Sequence, residues 1–281
     1  MNINCLLAAT FLLLSSGFGH AAGVIKCTDK SGNVLFTENA YHCSGQREPH
    51  ALTLAVPSGL NKDRVNYSSP NRHYVSADGK WNIHVEKSLL EGDQDLFRAS
   101  VAKLRETLDY VFSLMPLRSR TILSDLQFYI MWGEASPNGG RKSGMSYIRK
   151  GEPGNYPRLD KKWENSIVIY SAENLMYLDD LWSRKAVFHE LAHAWHIANW
   201  AEKHPPIYNS WKSAKDGNRY TNVRDIKNRT IKNAYALKNQ LEYFAELSAI
   251  YFVGGNYHPY DRAALEKYDP SGHRMVEALW D

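Results

Sequence analysis

The stretch Phe188-His189-Glu190-Leu191-Ala192-His193 constrains this chain more than any other part of its sequence. It lies in a segment from Leu181 to about Trp200 whose pattern predicts a helix, with Asp179 or Asp180 as N-cap. On a helix, residues four apart lie one turn above each other, about 40° apart in projection and about 6 Å along the axis. His189 and His193 can therefore hold one zinc ion together, through bonds of about 2.0–2.1 Å. Glu190 faces the open position of such an ion, where it can take a proton from water. With 11 His in 281 residues, the pattern arises by accident in about two chains per hundred of this composition. Its weight therefore comes from its helical context and from what lies further along the chain.

A catalytic zinc takes a third protein ligand and keeps one position open. The residues after His193 read Ala194-Trp195-His196-Ile197-Ala198-Asn199, without the Gly and third His of the metzincin pattern. His196 lies on the same helical stripe, but too far along a straight helix to join the first two on one tetrahedral ion. It reads as a packing histidine or as support for a ligand. The better source is Asn239-Gln240-Leu241-Glu242-Tyr243-Phe244-Ala245-Glu246, the start of a second helix to Val253 that Gly254-Gly255 ends. Leu241, Tyr243, Phe244, Ala245 and Leu247 make this helix largely apolar and hence buried. A buried carboxylate pair is costly without a cation. Glu242 is thus the expected third ligand of one zinc per chain, and Glu246, one turn on, the acceptor that fixes the tautomer of a ligating histidine.

Taken together, His189-Glu190-x-x-His193 and the segment from Ala234 to Glu246, in which Tyr235 precedes Glu242 by seven residues, resemble a known family. The family is the gluzincins related to the catalytic domain of anthrax lethal factor and to the clostridial Pro-Pro endopeptidases. The tail from Tyr257-His258-Pro259-Tyr260 through Tyr268-Asp269-Pro270 is also similar to the end of related secreted zincins. The resemblance covers about residues 165–281. It implies a zincin-like fold, zinc on His189, His193 and Glu242, Glu190 as general base and Tyr235 as stabiliser of the tetrahedral intermediate. It also implies a peptide or protein substrate lying extended along an edge strand, for which Gly144–Tyr147 and Ser166–Ile169 are both candidates.

The rest of the chain sets the context. About ten apolar residues from Cys5 to Leu14, followed by small residues up to Gly23, are half of a membrane span and read as a secretory signal over residues 1–22. No later segment is apolar enough to span a bilayer, so no integral membrane segment is expected after cleavage. Cys27 and Cys43 then remain and pair in an oxidising compartment. They bracket a strand–turn–strand pattern, a β-hairpin module at 23–46 that resembles a small N-terminal module of proteobacterial envelope proteins. The expected location is the periplasm or exterior of a Gram-negative bacterium. Residues 47–75 are polar enough to read as a linker. From 76 to 281 the pattern is a hairpin ending near Val85, a helix from Phe97 to Met115 stopped by Pro116, strands at Leu126–Trp132, Ser146–Ile148 and Ser166–Tyr170, and the two helices above. That order predicts an α+β domain with a mixed sheet. A net charge of +4 without a basic stripe excludes nucleic acid as partner. Two other readings of the site are a catalytically silent zinc-binding envelope protein and a zinc amidase acting on cell-wall material.

Overall fold

Residues 25–28, 34–37 and 65–281 are described by the structure, a computed structural model. Strands β1 (Ile25–Thr28) and β2 (Val34–Thr37) pair antiparallel. The signal segment expected at 1–22, the disulfide expected between Cys27 and Cys43, and residues 47–64 of the expected linker lie outside the described residues.

The body is α+β. In chain order it comprises β3 (Tyr74–Asp78), β4 (Ile83–Glu86), α1 (Lys87–Gly92), α2 (Gln94–Leu114), α3 (Leu117–Leu123), β5 (Gln127–Ile130), β6 (Met145–Ile148), α4 (Glu152–Asn155) and β7 (Ser166–Ile169). It continues with α5 (Ala172–Tyr177), α6 (Asp180–Asn199), α7 (Pro205–Asp216), β8 (Asn222–Arg224), β9 (Thr230–Lys232), α8 (Gln240–Phe252), α9 (Arg262–Tyr268) and α10 (Pro270–Trp280). Five strands form one mixed sheet in the order β3-β4-β5-β7-β6. The central β4, β5 and β7 run parallel, whereas β3 and β6 pair antiparallel at the two edges.

Alternation along the strands builds a core on each face. Ile83, Val85, Phe128, Ile130, Ile167 and Ile169 point to one side, where α2 and α6 cover them. Tyr129, Met131, Val168 and Tyr170 point to the other, where Val65, Tyr67, Leu159 and Trp163 close over them. The stretch read as a linker is therefore packed where it is described. Val65 and Tyr67 are buried, so the packed body starts by Val65 rather than at residue 76. Two apolar anchors among polar neighbours bring this stretch onto the far face of the sheet, beside Leu159 and Trp163.

The buried run Ser166–Ile169 lies between β5 and β6, apolar on both faces as parallel strands tend to be. Of the two candidate edges, β6 is thus the one with a side left unpaired by the other described strands. The loop leading to it is pinned by a fully buried ion pair, Arg72 Nη1 to Glu86 Oε1 at 3.0 Å. Arg72 Nη2 donates in addition to the carbonyls of Asn138 and Gly139, both at 2.8 Å.

Caps set the helix starts. The Asp93 side chain accepts from Leu96 N–H and begins α2, and Asp179 accepts from Trp182 N–H and begins α6. Gly254, at φ 121°, ends α8 where a side chain would be strained. Near the start of α10, a Cβ on Gly272 would stand 2.4 Å from Leu247 Cδ2 and 2.5 Å from the Tyr243 hydroxyl. Glycine there lets α10 lie directly against α8.

Candidate metal centre

Two helices bring the donors together. Asn239 caps α8 by accepting from Glu242 N–H at 2.9 Å, which places Glu242 in the first helical turn. Its charge is favoured there by the partial positive charge of the helix start. Across from it, α6 presents His189 and His193 one turn apart. The Nε2 atoms of the two histidines are 3.1 Å apart, and Glu242 Oε2 is 3.1 Å from His189 Nε2 and 3.2 Å from His193 Nε2.

These three lone-pair atoms form a nearly equilateral triangle. A tetrahedral ion with bonds of about 2.0–2.1 Å needs donors roughly 3.3–3.4 Å apart, close to what is found. Two imidazoles and one carboxylate, partly shielded from solvent, fit a small divalent cation in charge and in geometry. Among the described residues no other set of three His, Cys, Asp or Glu converges in this way.

A further ring of contacts orients these donors. His189 Nδ1–H donates to Glu246 Oε1 at 2.9 Å, which leaves Nε2 free to ligate. Glu246 is buried and also accepts from Lys185 Nζ, at 2.8 and 3.0 Å, and from the Tyr257 hydroxyl at 2.5 Å. Burial alone would raise the Glu246 pKa, yet Lys185 and His189 hold it well below the usual carboxylate range. Burial opposes charge on Glu242 as well, and His189, His193 and Lys238 together keep its pKa far below that range. The His189 ring responds in the opposite sense. Burial would lower its pKa, but Glu242 and Glu246 outweigh that and push it up to about 9.

The remaining residues of interest lie around this triangle. The Tyr235 hydroxyl donates to Glu242 Oε1 at 2.9 Å and accepts from Lys238 Nζ at 2.9 Å, and Lys238 reaches the same oxygen at 2.8 Å. The Tyr235 ring is half exposed. Glu190, one residue past the first ligand, accepts the backbone N–H of Tyr147 at Oε2, 2.7 Å away on β6. His196 is fully buried against Phe244, with Nε2 3.1 Å from the Ala201 carbonyl oxygen. It packs in the core and is not one of the converging donors.

Lys185, Lys238, Tyr257 and the Tyr147 amide escape a reading of the sequence. Lys185 and Lys238 each stand four residues before a ligand on or beside the same helix face, a spacing that could have marked them. Tyr257 and Tyr147 carry no comparable local signal. No protein-family model matches the chain, and no curated protein matches it.

Proposed function

We propose that this protein is an exported zinc metallopeptidase of the gluzincin type, hydrolysing peptide bonds of a peptide or protein substrate. The observation that carries the reading is the triangle of His189 Nε2, His193 Nε2 and Glu242 Oε2, with Glu190 on the same helix beside it. An antiparallel edge strand next to the HExxH helix supports a zincin-like fold. When bound, zinc supplies Lewis acidity toward the scissile carbonyl and toward water.

The chain's own groups do the rest. His189, His193 and Glu242 hold the ion, and Glu246 keeps the His189 ring in the ligating tautomer. Oε1 of Glu190 takes no hydrogen bond from the described residues and is the atom that accepts the water proton, then passes it to the leaving amine. Tyr235, at the rim beside Glu242, turns its O–H from Glu242 Oε1 to the developing oxyanion. The free edge of β6 offers backbone bonds to an extended substrate.

Zinc content of the purified chain, measured for wild type, Glu242→Ala and Glu190→Gln beside hydrolysis of casein, tests this. The expected result is about one zinc per chain in wild type and Glu190→Gln, marked loss in Glu242→Ala, and casein cleavage in wild type only. Absence of zinc from all three overturns the reading. Cleavage of peptidoglycan in place of casein would replace peptidase by cell-wall amidase.

A further inference from the structure

The direction of the Tyr147 amide follows from the ladder between β6 and β7. The register sets Met145 opposite Ile169 and Tyr147 opposite Ile167, which puts Gly144 opposite Tyr170. Tyr170 N–H donates to the Gly144 carbonyl at 3.0 Å. Gly144, Ser146 and Ile148 are therefore the hydrogen-bonded positions of this antiparallel pair. Met145 and Tyr147 alternate with them, and their N–H and C=O groups face away from β7.

Along that open side the amides are unevenly used. Tyr147 N–H donates to Glu190 Oε2. The next outward amide, Arg149 N–H, donates to Glu152 Oε2 at 3.1 Å, and the Arg149 carbonyl accepts from Glu152 N–H at 3.1 Å. The start of α4 thus closes the edge at Arg149. Among the described residues, what stays open to an incoming strand is the N–H and C=O of Met145 and the C=O of Tyr147.

We propose that the backbone N–H of Tyr147 is a positioning group that fastens Glu190 to the edge strand, so that the proton acceptor and the surface receiving the substrate backbone are held as one unit. The part of this inference that concerns turnover rests on the metallopeptidase reading; the amide–carboxylate bond does not. A bond from N–H to a charged carboxylate at this distance is among the stronger ones. It fixes the rotation of the carboxyl group and leaves Oε1 as the oxygen turned to other work. It also sets the register of cleavage. A peptide lying antiparallel on β6 can exchange two bonds with Met145 but only one with Tyr147. Its carbonyl opposite Tyr147 finds the local amide already taken and remains free for the chemistry at Glu190.

Because the amide points outward from an edge strand, proline can remove it without breaking a ladder bond. Tyr147→Pro deletes the N–H, and Tyr147→Ala deletes only the side chain, whose hydroxyl donates to Asn165 Oδ1. Two measurements on the full chain decide the matter. In nitrogen–proton correlation spectra, the Tyr147 amide proton should move upfield in Glu190→Ala, while those of Ile167 and Val168 stay in place. An unmoved Tyr147 signal overturns the proposal.

On a casein peptide that wild type cleaves, Tyr147→Pro should lower kcat at least about tenfold below Tyr147→Ala, at equal zinc content and with KM little changed. Equal kcat in the two variants also overturns it. If wild type cleaves no peptide, the metallopeptidase reading fails and takes the turnover claim with it, whereas the amide shift still reports whether Glu190 is fastened to β6.

Discussion

Glu246 is buried among three donors, two from α6 and one from the segment after α8, and none of them is dispensable on electrostatic grounds. Its cation is Lys185, and the two side chains are 8% and 5% exposed. Removing one member of a buried pair leaves the other charged without a partner, at a cost of about 3–5 kcal/mol. Lys185→Met is expected to lower the unfolding free energy by that amount in urea titrations, although methionine fills most of the same space. Glu246→Gln tests a different property of the same site. The amide is nearly isosteric but a weaker acceptor for His189 Nδ1–H, so zinc affinity should fall about 10–100-fold in competition with a chromogenic chelator. Both variants break the buried pair and should lose stability, so a fall in metal affinity larger in Glu246→Gln than in Lys185→Met is what reports the orientation of His189.

At the scale of elements, two caps of the same kind should behave differently. Asn239 begins α8 by accepting from Glu242 N–H, and Asp93 begins α2 by accepting from Leu96 N–H. Replacing either by Ala should cost about 1 kcal/mol of stability. Only Asn239→Ala loosens the turn that carries Glu242, so on the proposed reading only that variant should also weaken zinc binding, as calorimetric titration would register. The packing of α10 on α8 makes a further point. Gly272→Ala would drive a methyl into Leu247 and the Tyr243 hydroxyl, and overpacking of this kind costs about 1–3 kcal/mol. Its melting temperature should drop. The Asp269 carboxylate, which accepts from the Tyr243 and Tyr220 hydroxyls at 2.6 and 3.2 Å, ties the same corner together.

Across the whole molecule, the site joins α6 to α8, and α6 in turn covers the sheet. An ion held between the two helices therefore links the sheet side of the body to its C-terminal helices, and binding to the folded state alone must stabilise it. Zinc at one hundred times its dissociation constant should add about 2.7 kcal/mol to the unfolding free energy. A chelator should remove that gain, and His193→Ala should never show it in thermal scans. What could be read along the chain is what local geometry controls. The i,i+4 spacing of His189 and His193, a cap at Asp179 or Asp180, and the carboxylates Glu242 and Glu246 on an apolar helix all follow from local helical geometry, which acts over one turn and is written in neighbouring residues. The α+β class with a mixed sheet followed from the order of such elements. Which strand lies at the edge, the burial of Val65 and Tyr67, the approach of Tyr257 and Lys185 to Glu246, and the Tyr147 amide on Glu190 depended on strand order and on contacts between segments far apart in sequence. Only the tertiary structure decided these, because an edge is defined by the absence of a neighbour and a buried polar partner by whichever group packing brings within hydrogen-bond reach.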